Sequence, residues 1–208
     1  MPLVRKPANH PPAQKPGGDD VLKSLSSPDP ERRWAAARGA ASLVGADLAL
    51  GAALRSESDV RVREAMLTSL ARIGTPAAIE SIVGLLRSDD ANLRTGALDA
   101  LRIMVAHVPE LLPGLLSDPD VDVRILCCEL ARSLPSPDAA RLMCRVLDEE
   151  TEANVCAAAV EVLAEVGGIE ALPSLRNCAS RFGNSAFLAF AIRVVIDRLS
   201  SDSAPSRA

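Results

Sequence analysis

Between Ser117 and Leu134 the chain reads SDPDVDVRILCCELARSL, which crowds carboxylates, two arginines and an adjacent cysteine pair into 18 residues. Thiols beside carboxylates can bind a metal, and a thiol beside a cation can act as a nucleophile or redox centre. The other cysteines do not extend that chemistry. Cys127, Cys128, Cys144, Cys156 and Cys178 form no Cys-x-x-Cys pair and sit inside apolar helical patterns. An odd count without an export signal points to reduced thiols that behave as small hydrophobes. The two histidines, His10 and His107, are too few for a multi-histidine metal site, and His107 reads as an ordinary residue at a helix start. There is no Gly-rich phosphate loop, no His-Glu-x-x-His and no nucleophile elbow, so no catalytic residue, metal or cofactor is expected.

The elements that hold these groups follow from composition and period. Of 208 residues, 48% are hydrophobic, 24% charged and only 2% aromatic. A core of Ala, Leu, Val and Ile with no sustained alternation of period two is an all-α core. The formal charge of -4 supplies no positive field for nucleic acid or anionic lipid, and the lack of aromatics argues against base stacking. No apolar run approaches the roughly 20 residues that span a bilayer. The start, MPLVRKPANHPPAQKPGGDD, lacks an apolar signal region, so residues 1–19 read as a disordered Pro-rich arm and the protein as cytoplasmic.

Five segments superpose without gaps: DPERRWAAARGAASLV, DVRVREAMLTSLARIG, DANLRTGALDALRIMV, DVDVRILCCELARSLP and EANVCAAAVEVLAEVG. With Arg33 as position zero, the equivalents are Arg63, Arg94, Arg124 and Cys156, at spacings of 30, 31, 30 and 32. That period belongs to stacked two-helix units. Positions -1, +2, +3, +4, +6, +7 and +10 form one broad apolar arc, as in Val62, Ala65, Met66, Leu67, Ser69, Leu70 and Ile73. Shorter apolar helices are expected over about 46–55, 76–87, 108–116, 138–148 and 169–180, with a first helix near 20–26 and a last over about 185–199.

The phrase Asp-Pro-Asp-Val-Asp-Val-Arg, followed by a small-residue helix and a turn, resembles the HEAT repeat, especially the short bacterial form first named for phycobilisome lyases. The resemblance covers about 20–199 and implies an α-solenoid of about six antiparallel helix pairs, with 200–208 a disordered tail. The His-Glu pairs of the HEAT-like deoxyhypusine hydroxylases are missing.

The acids at -4, Asp29, Asp59, Asp90, Asp120 and Glu152, occupy expected N-caps, where a carboxylate accepts backbone N–H bonds and meets the positive dipole end. The arginines at zero sit at the edge of the core and need partners. Together, Asp29, Arg33, Asp59, Arg63, Asp90, Arg94, Asp120 and Arg124 are expected to form a structural ladder, with the acids capping and bridging to arginines of the same or adjacent units. Cys156 breaks it, either as a local weakening or as a partner-adapted site.

In similar repeats the second helices line a concave binding face. Their polar strip, at +1, +5, +8 and +9, comprises Trp34, Arg38, Glu64, Thr68, Arg72, Thr95, Asp99, Arg102, Ile125, Glu129, Arg132, Glu161 and Glu165. Its charge runs from basic near Trp34 to acidic near Glu161, which suits a peptide or protein of mixed charge. Trp34 is either an anchor for a partner or a cover for the first unit. In the last helix Leu188, Ile192, Val195, Ile196 and Leu199 form one face, and Phe187, Phe190 and Val194 a second. The second face either packs on the helix near 169–180 or marks a homodimer or partner contact, so the chain is expected as a monomer or a dimer through this helix. The functional expectation is a non-enzymatic bacterial scaffold or adaptor that binds another protein or peptide. The alternative, implied by the resemblance, is a phycobilin lyase-like subunit handling a bilin and its acceptor protein.

Overall fold

The computed structural model describes residues 17–202. His10 and the expected disorder over 1–16 and 203–208 lie outside them. Within them, residues 18 and 19 already belong to the first helix and 200–202 still belong to the last, so the helical span exceeds the expected 20–199 at both ends. Among the described residues the fold is all-α, a series of antiparallel helix pairs of the α-solenoid class, with no strand.

The chain divides into two compact units, one ending at Ser69 and the other starting at Leu70. The first contains α1 (Gly18–Ser24), α2 (Pro30–Ala40), α3 (Ala46–Leu54) and the first part of α4 (Val60–Ile73). Its core is aliphatic and close-packed: Ala36, Ala37, Ala40, Leu50, Leu54, Val62 and Met66 are buried. Small residues on α2 let neighbouring backbones approach, and each fully buried Leu contributes about 2 kcal/mol.

The second unit holds the end of α4, then α5 (Pro76–Gly84), α6 (Ala91–Ile103), α7 (Val108–Leu115), α8 (Val121–Ala131), α9 (Ser136–Glu149), α10 (Ala153–Val166), α11 (Leu172–Arg181) and α12 (Ala186–Asp202). Helix α4 stops at Gly74, whose φ of +64° is the left-handed conformation that glycine adopts without a Cβ penalty. Thr75 then caps α5, accepting from the Ala78 N–H at 3.3 Å, with Pro76 in the first turn. Second helices pack side by side, α6 on α8, α8 on α10 and α10 on α12, with α9 against α10 and α11 against α12. Leu101, Leu112, Leu130, Met143, Leu147 and Leu163 are fully buried between them. No described helix is long and apolar enough to cross a membrane.

Candidate partner-binding strip

The turns that begin the second helices fix the register of everything on them. Asp29, Asp90 and Asp120 each accept from the backbone N–H two residues on, and Asp59 accepts from Arg61 and Val62. Glu152 makes no such side-chain cap. The arginines at position zero lean back towards the helix start, as helical side chains do. Arg33 donates to the carbonyl of Ser27, Arg63 to that of Glu57, Arg94 to that of Ser88 and Arg124 to that of Asp118, always six residues earlier.

The acids that pair with Arg33 and Arg124 differ from those expected. They are Glu57 and Glu150, not the capping Asp29 and Asp120. Arg33 reaches Glu57 through Nε at 2.6 Å and a second nitrogen at 2.9 Å; Arg124 reaches Glu150 at 2.8 and 3.2 Å. The capping carboxylates are spent on helix N–H groups, whereas Glu57 and Glu150 lie in the turn of the following unit, facing the guanidinium. Both are nearly buried, with side-chain exposures of 3% and 9%. Two-pronged hydrogen bonding of this kind is the strong form of an ion pair. The Arg33 guanidinium holds the Glu57 carboxyl below its usual range, helped by the N–H groups of Asp59 and Ser58. For Glu150, burial pushes upward, but the bonds from Arg124 and the N–H groups of Glu152 and Thr151 more than offset it.

Position -6 is therefore the missing column of the repeat: Ser27, Glu57, Ser88, Asp118 and Glu150. Each side chain accepts from the N–H of residue -4. Asp118 also pairs with Arg87. A recurring acceptor two residues ahead of the cap was the signal that locates it.

At Cys156 the place of the arginine is taken from another helix. The carbonyl that an arginine at this position would take, that of Glu150, accepts instead from Arg181 of α11 at 2.8 Å, and Arg181 also donates to Leu147. The Cys156 thiol lies 3.9 Å from the same carbonyl. Its hydrogen bond to Cys178 and its burial push it to higher pKa. Burial pushes the Cys127 and Cys128 thiols up to about 12, so they stay protonated. The cysteine pair of the opening stretch is core.

The strip residues lie apart from these turns. In the first unit Trp34 is half-buried with the Arg38 guanidinium 4.6 Å above its ring, Glu64 is exposed and Thr68 half-buried. In the second unit Arg72, Thr95, Asp99, Arg102, Glu161 and Glu165 are exposed, while Ile125, Glu129 and Arg132 are half-buried. Arg102 donates to Asp99 at 2.9 Å within α6. Arg132 binds Glu129 at 3.0 Å and also Glu165 of α10, so three strip residues from adjacent helices form one network. A cleft of about 480 Å³ near the α8 turn, lined by Leu116, Asp118, Arg124, Leu142, Arg145 and Glu150 among others, has no aromatic side chain in its wall.

The second face of α12 does not pack on α11. Leu188, Ile192, Val195 and Leu199 are buried and Ile196 is half-buried, but Phe187, Phe190 and Val194 are 68%, 58% and 50% exposed. The inward face already takes the contacts that α10 and α11 offer.

The MAST/Orbit N-terminal domain is similar over 88% of this chain and 97% of that domain, with 16% identity and a TM-score of 0.57, a likeness of fold. The complex of CpcE and CpcF of phycocyanin lyase from Nostoc sp. PCC7120 aligns over 96% of this chain and 100% of that one, at 17% identity and a TM-score of 0.39. A designed armadillo repeat protein aligns over 86% and 98%, at 17% identity and 0.37. No curated protein matches the chain. A family model for HEAT repeats matches residues 18–102 and 108–182, the same span that carries the caps, the arginines and the -6 acceptors. The chain belongs to the HEAT-repeat family.

Proposed function

We propose that the protein is a non-enzymatic, cytoplasmic scaffold or adaptor that binds another protein or peptide through the strip of its second helices. One observation carries this reading. At -6, -4 and zero the units repeat nearly the same chemistry and spend it on their own backbone. At +1 and +5 the residues change from unit to unit and stay largely outside the core: Trp34 and Arg38, Glu64 and Thr68, Thr95 and Asp99, Ile125 and Glu129. A regular frame that presents a non-repeating set of side chains is how repeat proteins encode a partner. For a bilin-handling role the cleft by α8 offers no aromatic wall to hold a tetrapyrrole, so the adaptor reading stands ahead of it.

Capture from the native cell with the wild-type chain, with Trp34→Ala plus Arg38→Glu, and with Asp99→Arg tests the proposal. The expected result is a protein that co-purifies with the wild type and is lost from at least one variant, with circular dichroism unchanged. Co-purification identical in all three sinks the reading. A shifted bilin spectrum on mixing with the wild type would replace it with the lyase-like one.

A further inference from the structure

The turn before the last helix carries neither the acid nor the arginine of the other units, but the packing fixes its register. Ser185 precedes α12 as Glu152 precedes α10, which makes Ala189 position zero. Leu188, Ile192, Val195 and Leu199 then fall at -1, +3, +6 and +10, and all four are buried, as the register requires. The exposed Phe190 and Val194 fall at +1 and +5, the strip positions, and Phe187 at -2 lies on the same arc. The apolar patch is thus the local form of the recognition strip.

It also differs from the faces along which the other units stack. Position +4, which meets neighbouring helices, holds Leu67, Leu98, Cys128 and Val160, all buried. In α12 it holds Arg193, which is exposed and lies 5.5 Å from the Phe190 ring. Another helix stacked there would have to take in the Arg193 guanidinium, where the other units offer it an apolar side chain. The area is also small. Two phenylalanines of roughly 200 Å² each, a little over half exposed, and half a valine present about 300 Å². A stable interface between folded proteins needs about 800 Å² per partner, so a second copy seated on this patch falls short. A short helix laid across it is the right size.

Charge selects the kind of helix. Helix α10, packed beside α12, carries two charged residues, Glu161 and Glu165, both acidic, exposed and on its strip. Arg198, the basic residue of α12 nearest that side, is turned onto the carbonyls of Leu163 and Gly167 at 3.2 and 3.3 Å. Glu165 is held by Arg132, so the acid left open on the flank towards α10 is Glu161. We propose that Phe187, Phe190 and Val194 seat the apolar stripe of a partner's basic amphipathic helix, with its lysines or arginines lying towards Glu161. This rests on the strip being the partner-binding face and names the partner's chemistry at one end of it.

The probe is a fluorescein-labelled, 18-residue Leu/Lys amphipathic peptide, with a Leu/Glu peptide of the same pattern as control, read by anisotropy on the full chain. We expect saturable binding of the Leu/Lys peptide and none of the other. Phe187→Ser with Phe190→Ser should weaken it tenfold or more and Glu161→Lys about fivefold, with circular dichroism unchanged because all three side chains are exposed. Binding that survives the double Phe variant, binding of both peptides alike, or binding of neither overturns the proposal. So does a wild-type dimer in light scattering that the Phe variant turns into monomer, which would make a second copy the occupant. The broader adaptor reading fails separately, when native-cell capture is blind to the Trp34, Arg38 and Asp99 variants.

Discussion

Arg124 and Arg132 stand at opposite ends of α8 and serve different purposes with the same functional group. Arg124 is 12% exposed and clasps a Glu150 that is 9% exposed, while its remaining donors go to the carbonyls of Asp118 and Pro119. Arg132 is 24% exposed and bridges Glu129 and the 61% exposed Glu165. The first pair is held by the turn and shut off from water, so removing one member strands the other. The second lies at the water's edge, where Coulomb attraction is screened and the groups remain available to something else. Residue type does not separate the shielded pair from the open one here; position in the register does.

Removing the shielded acid tests that contrast most severely. Glu150→Ala takes away both oxygens facing Arg124 and the acceptor for the N–H groups of Thr151 and Glu152. The expected loss is about 2–3 kcal/mol, or roughly 4–12 °C in Tm for a chain of this size. The effect depends on pH with a definite sign. The folded-state pKa of Glu150 lies below its ordinary 4.5, so its contribution is complete at neutral pH and disappears as pH falls from about 4.5 through the folded value. Thermal melts of wild type and variant should converge in acid. A gap that persists or widens there would mean the carboxylate acts through packing and not through charge.

The helices and their caps were legible in the sequence because both are local. A 3.6-residue apolar period marks the span, and Asp before it marks the start. The acceptor at -6 went unseen because it lies in the turn, where no periodicity reaches, and because Ser, Glu and Asp share a role there without sharing an identity. Arg181 was invisible for a different reason: it enters the fifth turn from another helix, 25 residues after the cysteine whose place it takes. The substitution also makes a graded case between the two ends of α8. Arg181 is an exposed residue whose hydrogen bonds go to two carbonyls and not to a buried acid. Arg181→Ala should therefore cost about 1–2 kcal/mol, less than loss of Glu150, as expected for hydrogen bonds with a charged donor and no stranded partner charge. A cost equal to that of Glu150→Ala would make Arg181 a full member of the ladder, and none at all would show that the Cys156 thiol suffices.

Arg132→Ala carries the smallest expected change in stability and so separates the two regions most cleanly. It dissolves a network of three side chains, Arg132 with Glu129 and Glu165, yet each carboxylate it releases can turn to solvent. Pairs at the water's edge contribute about 0–1 kcal/mol, and melts should place the variant within about 4 °C of wild type. What should change is the face: with the guanidinium gone, Glu129 and Glu165 become uncompensated acids next to Glu161, and the strip of α8 and α10 turns more negative. Capture of a basic partner should hold or strengthen while its salt dependence steepens. A Tm loss as large as that of Glu150→Ala would move Arg132 out of the strip and into the frame.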